Sequence, residues 1–175
     1  MTYAPIALFT YNRADHTQRA VESLLKNAEA KYSDLFIFSD GPKAPEKKAG
    51  VEENRKYIHT ISGFKSISIV EREKNWGLAN SLIAGITEVI NKYGKVIVVE
   101  DDLILSPYFL QFMNEGLEKY KDDDRVGTIC GYVLPVKKPL PETFFLYFMH
   151  PWGWATWKRS WNLLNTDTNY LLRKM

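Results

Sequence analysis

A run of four apolar β-branched residues that ends directly in three acidic residues constrains the fold of this chain most. The run is Val96–Val99, and the acids are Glu100, Asp101 and Asp102. Because the run does not alternate with polar residues, it predicts a strand buried on both faces, as in the middle of a parallel sheet. The acids then lie at the carboxyl end of that strand. In open α/β sheets this edge binds ligands, and clustered carboxylates there suit a hard divalent cation that carries phosphates.

Other short apolar segments predict further strands. Between them lie segments in which apolar residues recur at helical spacing. The predicted strands cover residues 5–9, 35–38, 67–70 and 126–130. Amphipathic stripes between them predict a helix after the first strand, one before the acidic triplet and one after it. Strands that alternate with helices of about a dozen residues form βαβ units with right-handed crossovers. The sequence therefore predicts an α/β fold with a mainly parallel sheet.

Capping signals predict where the helices begin and end. Asp15 is a candidate N-cap of the first helix, and Gly94 a candidate C′ residue after the helix that precedes the triplet. Ser106 and Pro107 form an N-cap and N1 pair for the next helix. The charged residues 43–56 predict a solvated loop that leads into a surface helix.

Aromatic side chains concentrate near the C-terminus, where the strand and helix pattern changes. We predict one strand at residues 144–148 and a short helix at residues 156–164. Trp154, Trp157 and Trp161 have the i, i+3, i+7 spacing of one helical face, which predicts a hydrophobic plug at the end of the sheet. The glycine of the WGW tripeptide leaves a second interpretation open, a surface that stacks on a sugar or shapes an acceptor site.

Length and composition indicate one ordinary globular domain. The chain has 175 residues, of which 45% are hydrophobic and 25% charged, near the average for soluble proteins. Its net charge of +2 is too small to indicate a nucleic-acid partner. We therefore expect residues 1–175 to form a single domain. Because the last residues carry no helix-capping signal, we also expect the chain to lack a C-terminal acceptor-side portion.

The cysteine content and the hydropathy pattern bear on the cellular compartment. Cys130 is the sole cysteine, so an internal disulfide and a cysteine-based zinc site are excluded. The N-terminus lacks the pattern of a signal peptide, and no apolar run approaches the ~18 residues needed to span a bilayer. We expect a cytoplasmic protein, and attachment to a membrane surface stays open.

Three polar clusters follow the first, second and fourth predicted strands. They are residues 10–13, 39–41 and 100–102. Because the carboxyl ends of parallel strands meet at one edge of the sheet, we expect the clusters to share a single ligand site.

Each cluster also has a simpler interpretation. Asn12 and Asp40 could hydrogen-bond a ribose or a base, yet Asp40 could equally form an Asx turn. Arg13 could hold a phosphate in a two-pronged contact or be a surface charge. The acids could bind a metal or favour a helix N-terminus. Their expected convergence at one edge favours the shared site.

Motifs for several other chemistries are missing from the sequence. No GxGxxG follows the first strand, and no GxxxxGK[ST] or GxSxG occurs. The histidines His16, His59 and His150 have no metal-ligand spacing. These absences disfavour the dinucleotide fingerprint, the Walker phosphate loop, the hydrolase elbow and a histidine metal site.

Five motifs together resemble GT-A fold glycosyltransferases. The closest pattern is that of N-acetylglucosaminyltransferase I and its relatives, in which EDD replaces the more familiar DxD, and family 2 glycosyltransferases come next. The resemblance implies a three-layer, Rossmann-like nucleotide-diphosphosugar transferase fold. In chain order the motifs are TYNR, SDG, NWGLANSLIAGI, VIVVEDDLILSPYF and WGWATW.

The resemblance also implies roles for individual residues. Asp40 would contact the uracil or ribose, Glu100 and Asp101 would face the ribose or sugar, and Asp102 would coordinate the metal. The residues predicted to bind the nucleotide sugar are Thr10, Asn12, Arg13, Asp40, Asn75, Asn80, Glu100 and Asp101, and Asp102 is predicted to bind Mn²⁺ or Mg²⁺.

Two departures from the family pattern leave parts of the reaction open. Asn80 and Ser81 stand where the pattern has a basic pair, so the donor sugar is not specified. Asp167 is the sole acid after Trp161 and lacks the aromatic and acidic neighbours expected around a catalytic base. We therefore assign no catalytic residue.

The resemblance implies a metal-dependent glycosyltransferase of the hexosyl- or N-acetylhexosaminyl-transferase class. We expect it to transfer the sugar of a UDP-sugar, with inversion, to a sugar, glycan or glycoconjugate acceptor. Two alternatives stay open: a nucleotide-sugar-binding domain without turnover, and a sugar nucleotidyltransferase. The absence of a Gly-rich loop with a basic residue after the first strand argues against the latter.

Overall fold

The computed structural model describes residues 2–174, except for the side chain of Thr168, and it contains a six-stranded sheet. The strand order is β3-β2-β1-β4-β6-β5. The strands are β1 (Ile6–Thr10), β2 (Asp34–Ser39), β3 (Ser66–Glu71), β4 (Lys95–Glu100), β5 (Thr128–Cys130) and β6 (Trp154–Trp157).

Helices connect the strands and cover both faces of the sheet. No helix among these described residues combines the length and the apolar composition of a membrane span. The helices are α1 (Ala14–Leu25), α2 (Lys48–Ile58), α3 (Leu78–Tyr93), α4 (Phe109–Lys119), α5 (Lys158–Trp161) and α6 (Thr168–Lys174), with short 3₁₀ turns at Ala30–Tyr32 and Pro45–Lys47.

The first four strands are parallel, and β1 lies between β2 and β4. Ile6 is opposite Leu35 on one side and Ile97 on the other. The β6 strand pairs antiparallel with both β4 and β5. The predicted α/β fold with a mainly parallel sheet is confirmed, and helices on both faces of the sheet give it three layers.

The alternation of side chains along each strand divides the core into two. Ile97 and Val99 pack in a cluster with side chains of α1, α2 and α4, whereas Val96 and Val98 pack with α3 on the opposite face. All four are at most 1% exposed. Burial of such a side chain contributes about 1.5–3 kcal/mol, which explains why β4 shows no polar alternation.

The tryptophan-rich segment corrects one prediction, because it begins with a strand rather than a helix. Trp154 packs in the core on the α3 face, and Trp157 packs in the core on the opposite face. The Trp157 Nε1–H donates to the Leu117 carbonyl at 3.1 Å. Residues three apart share a helix face but lie on opposite faces of a strand. The free edges of β4 and β5 provide the backbone partners that favour the strand.

The predicted strand at residues 144–148 is also wrong. All five of these side chains are exposed, and the segment from 131 to 153 is irregular. The place beside β4 is taken by β6, so residues 144–148 have no sheet edge to extend there. The helix predicted at 156–164 is confined to α5, and α6 was not predicted.

Two helices begin away from their predicted caps. Arg13, rather than Asp15, is the N-cap of α1. The α4 helix begins two residues later than predicted, because the Ser106 hydroxyl accepts the N–H of Tyr108 at 3.2 Å and forms a separate turn. The helix end at Gly94 is confirmed: it has the left-handed conformation, with φ of 77°.

Gly85 allows α3 to approach the sheet closely. The Phe9 and Phe38 rings stack with centroids 5.1 Å apart on the face that α3 covers. A Cβ atom at residue 85 would lie 2.7 Å from the Phe9 ring and 2.9 Å from the Phe38 ring. Since Phe9 and Phe38 lie near the carboxyl ends of β1 and β2, this contact also positions the start of α3 beside that edge.

We predict that Gly85→Ala lowers the free energy of unfolding. The added methyl group overpacks the contact at a cost of about 1–3 kcal/mol, more than the ~1 kcal/mol that alanine contributes to helix propensity. Urea unfolding measures the change. Asn91→Ala, at an exposed position of the same helix, is the control and should be as stable as the wild type or more so. A fully stable Gly85→Ala protein would contradict the close packing.

Candidate functional site

A cavity of about 380 Å³ lies at the carboxyl ends of β1, β2 and β4, next to the start of α3. Residues of the three predicted polar clusters line it together. The lining residues are Phe9, Thr10, Tyr11, Arg13, Asp40, Lys43, Asn75, Gly77, Leu78, Ser81, Glu100, Asp101 and Asp102.

All of the predicted site residues except Asn12 and Asn80 line this cavity. The backbone of Asn12 lies against α2, where a Cβ atom at Gly50 would be 2.9 Å from the Asn12 carbonyl oxygen. The exposed Asn80 donates its side-chain amide to the Trp76 carbonyl at 2.9 Å. Both side chains are thus placed outside the lining of the cavity.

Lys43 was predicted to lie in a solvated loop, yet it lines the cavity. Its backbone N–H donates to the Tyr11 hydroxyl at 3.0 Å, which ties the loop after β2 to the loop after β1. The sequence signal that could have placed Lys43 at the cavity is its position three residues after Asp40. Hydrophobic periodicity could not indicate this, because the loop has no periodic pattern.

The buried carboxylate of Asp40 organises the loop between β3 and α3. It accepts hydrogen bonds from the N–H groups of Trp76 at 2.9 Å and Gly77 at 3.0 Å, and from the Asn75 side-chain amide at 3.0 Å. The N–H of Gly41 adds a further contact at 3.0 Å. These charge-assisted bonds hold residues 75–77 at the cavity wall. Asp40 therefore has a structural role in addition to the predicted nucleotide contact.

Arg72 supports the same loop from behind. Its guanidinium lies 4.0 Å from the centre of the Trp76 ring and donates to the Ser81 hydroxyl at 2.5 Å. Burial lowers the pKa of Arg72, although nearby carboxylates act in the opposite direction. The Gly41 backbone approaches so closely that a Cβ atom there would lie 2.5 Å from the Lys74 carbonyl carbon. The loops after β2 and β3 are thus packed against each other.

The acids after β4 have three different environments. Asp101 is buried, and it accepts the N–H of Tyr11 at 3.3 Å and a bond from Arg13 Nη2 at 2.5 Å. Asp102 is exposed, and its Oδ2 lies 3.1 Å from the same Arg13 nitrogen. The partly buried Glu100 side chain makes no hydrogen bond to the described residues. Asp101 is therefore fixed in place, whereas Glu100 and Asp102 are available to a ligand.

Electrostatic repulsion is concentrated at this triplet. Burial raises the pKa of Glu100, and the charges of Asp102 and Asp101 raise it further. Burial also raises the pKa of Asp101, although Arg13 opposes the shift. Among the three carboxylates, those of Asp101 and Asp102 contact the single guanidinium of Arg13, so the site has an excess of negative charge that a bound cation would relieve.

The geometry of the triplet does not form a complete metal cage. Within the described residues, no group of three or more histidine, cysteine, aspartate or glutamate side chains converges on one point. A hard cation such as Mg²⁺ commonly uses one or two carboxylates and takes its other ligands from phosphates and water. The donor set fits a cation of this kind.

Asp167 and His150 lie outside the lining of the cavity. The Asp167 carboxylate accepts the N–H of Tyr170 at 3.0 Å and so caps α6. His150 packs edge-on against Tyr132, with ring centroids 5.8 Å apart. The acids that line the cavity are Asp40 and the triplet.

We predict that Asp40→Asn lowers the free energy of unfolding by about 2–3 kcal/mol, because charge-assisted bonds are lost and an amide N–H₂ faces backbone N–H groups. Urea unfolding measures the effect. Asp122→Asn, at an exposed position before β5, is the matched control and should change stability by less than about 0.5 kcal/mol. Equal stability of the two variants would contradict the loop-anchoring role.

We predict that Glu100→Gln stabilises the metal-free protein near neutral pH. Because the folded pKa of Glu100 is raised, the folded state binds this proton more tightly than the unfolded chain does. Wild-type stability therefore falls as the pH rises from about 4.3, the ordinary glutamate pKa, through the raised value. The glutamine variant avoids that loss.

Urea unfolding in EDTA over a range of pH tests this prediction. The stability difference between Glu100→Gln and wild type should be largest at about pH 7–8 and vanish below about pH 4. Glu53→Gln, at an exposed position of α2, controls for the general effect of removing a carboxylate. A difference that does not vary with pH would contradict the electrostatic explanation.

Solved structures of known proteins share this fold. A mannosyltransferase, PcManGT from Pyrobaculum calidifontis, in complex with GDP-Man and Mn²⁺, aligns with a TM-score of 0.58 and 13% identity over 90% of this chain. The chain spans 46% of that protein's length. A 4-diphosphocytidyl-2C-methyl-D-erythritol synthase from Anaerococcus prevotii aligns with a TM-score of 0.52 and 9% identity, over 98% of this chain and 84% of its own.

A third structure, a nucleotide-diphospho-sugar transferase described as putative, from Desulfovibrio desulfuricans G20, aligns with a TM-score of 0.51 and 10% identity, over 98% of this chain and 75% of its own. At such low identities these likenesses show the fold. A comparison with curated protein sequences finds no match. The family comparison is decisive, because the model of glycosyl transferase family 2 matches residues 6–168. This chain belongs to glycosyl transferase family 2.

Proposed function

We propose that this chain is the nucleotide-sugar-binding domain of a metal-dependent glycosyltransferase with UDP-sugar specificity. The observation that carries the proposal is the cavity at the ends of β1, β2 and β4, where the acid triplet lies together with Arg13 and Lys43. A nucleotide diphosphate bound with a divalent cation needs both negative and positive protein groups. Membership of family 2 supports sugar transfer as the reaction.

Asp102 is the proposed ligand of Mn²⁺ or Mg²⁺. Its carboxylate is exposed at the cavity, unlike the buried Asp101, and Glu100 is close enough in sequence to assist. When bound, the cation would neutralise the charge that builds on the diphosphate as the bond to the sugar breaks. Arg13 and Lys43 would contribute positive charge toward the same diphosphate.

The nucleoside is proposed to lie against Thr10 and Asp40, with Asn75 nearer the sugar. Thr10 is held by α2, because the buried Asn54 amide donates to its hydroxyl at 3.0 Å. Asp40 keeps the loop of Asn75 at the cavity wall. Glu100 and Asp101 would face the ribose or sugar. Nucleotide contacts of Asn12 and Asn80 stay predictions, because neither side chain lines the cavity.

The acceptor and the stereochemical course of the transfer are also part of the proposed function. We propose transfer with inversion to a sugar, glycan or glycoconjugate. Inversion requires a base that removes the proton of the acceptor hydroxyl as it attacks the far face of the donor sugar. The acids that line the cavity surround the proposed diphosphate position, so we assign none of them as this base.

We predict that Mn²⁺ raises the affinity of the wild-type protein for UDP by about tenfold or more, within the usual range of coupling between two ligands. In Asp102→Ala the increase should be mostly lost, since the protein ligand of the cation is gone. Isothermal titration calorimetry with and without Mn²⁺ measures both affinities.

Asp122→Ala is the control for this titration, because it removes an exposed acid outside the cavity. It should keep the wild-type dependence on Mn²⁺. If UDP binds with the same affinity in wild type and Asp102→Ala, with and without Mn²⁺, the metal-site proposal is wrong.

A set of nucleotide sugars then tests the donor. A ligand that binds only the folded state raises the midpoint of thermal unfolding. The set includes UDP-sugars and GDP-mannose, because GDP-Man is bound by the Pyrobaculum calidifontis protein. Release of free sugar from the bound donor would support turnover, and stabilisation without release would support a binding domain. Formation of pyrophosphate from UTP and a sugar phosphate would instead support a nucleotidyltransferase.

A further inference from the structure

Arg13 forms an unusual bridge between two neighbouring carboxylates of the triplet. A single nitrogen, Nη2, lies 2.5 Å from Asp101 Oδ1 and 3.1 Å from Asp102 Oδ2. The Arg13 side chain is 45% exposed. Its Nε and Nη1 groups make no hydrogen bond to the described residues, so donor groups of the guanidinium remain available to a ligand.

The two carboxylates differ in how firmly they are held. Asp101 is 6% exposed at its side chain and accepts a second bond, from the N–H of Tyr11. The Asp102 side chain is 46% exposed, and among the described residues Arg13 is its sole hydrogen-bonding partner. The contact between Arg13 and Asp102 can therefore break while Arg13 stays anchored to Asp101.

We infer that Arg13 is an internal counter-ion that couples the binding of the cation to the binding of the diphosphate. This inference rests on the proposed function, because it assumes that Asp102 is a ligand of the cation. In the ligand-free protein the guanidinium occupies one of the oxygens that the cation would use. A cation that arrives alone must break the contact between Arg13 and Asp102 and then lie close to a positive charge.

The diphosphate changes this balance. Its oxygens can accept bonds from the free N–H groups of Arg13, so the guanidinium gains a new partner as Asp102 becomes free for the cation. Arg13 therefore opposes binding of the cation alone and favours binding of the diphosphate alone. When the diphosphate is bound, Arg13 opposes the cation less. Each ligand raises the affinity for the other by the same factor, because coupling is reciprocal.

We predict opposite changes in two affinities for Arg13→Gln. Binding of Mn²⁺ without nucleotide should tighten by about threefold or more, and binding of UDP without metal should weaken by about tenfold, in line with the strength of charge-assisted bonds. The factor by which Mn²⁺ raises UDP affinity should fall at least about fivefold. Electron paramagnetic resonance of free Mn²⁺ measures the first affinity, and calorimetry measures the others.

Two further variants separate this role from a structural one. Arg19→Gln removes another exposed arginine, one that pairs with Asp15 on α1, and it should leave all three quantities unchanged. Arg13→Lys keeps the charge but cannot bridge two carboxylates and a diphosphate in the same way. It should keep weak Mn²⁺ binding and lose UDP affinity, which also provides a test if Arg13→Gln does not fold.

The outcomes distinguish this inference from the function on which it rests. If wild-type protein binds no UDP with or without Mn²⁺, the proposed function fails. If wild type binds UDP and Mn²⁺ cooperatively but Arg13→Gln leaves Mn²⁺ affinity unchanged, the counter-ion role alone is wrong. A parallel loss of both affinities in a folded Arg13→Gln protein would likewise overturn it, because a merely structural residue would produce that result.

Discussion

The central strands β1, β2 and β4 are buried on both faces of the sheet, and the arrangement of the cavity follows from this burial. Because β1, β2 and β4 are covered by helices on each side, their interior positions are apolar, and polar side chains lie at the strand termini, including the carboxyl ends. Parallel strands bring those ends to one edge. The same packing that stabilises the sheet therefore assembles Thr10, Asp40 and the acid triplet in one cavity.

The charged side chains around the cavity differ in how completely they are paired. Asp40 is saturated with hydrogen bonds from the protein and stabilises the loop before α3. Glu100 and Asp102 are less completely paired, and their mutual repulsion, added to burial, raises the pKa of Glu100. The proposed cation would relieve this electrostatic cost on binding, and such a cost is one way in which a protein exchanges stability for function. Arg13 offsets part of the cost.

Much of the fold was predictable because several local signals agreed. Apolar runs, helical stripes and the predicted helix end at Gly94 all indicated the same βαβ pattern, and the structure confirms it. The tryptophan segment failed for a physical reason. A spacing of three residues is compatible with a helix face or with opposite faces of a strand, and the choice was made by the free edges of β4 and β5. Those edges are distant in sequence, so no local pattern reports them.

The amino-acid sequence is sufficient to show that three carboxylates follow a buried strand and that two other polar clusters follow other predicted strands, because strand periodicity and chain order are local properties. The folded arrangement is needed to show that Asp101 is held by Tyr11 and Arg13, that Asp102 is exposed, and that Asp40 anchors the loop at Trp76. Adjacent acids have similar local sequence surroundings. Their different environments arise from Tyr11 and Arg13, which lie 88 to 90 positions away in the chain and contact the acids only after folding.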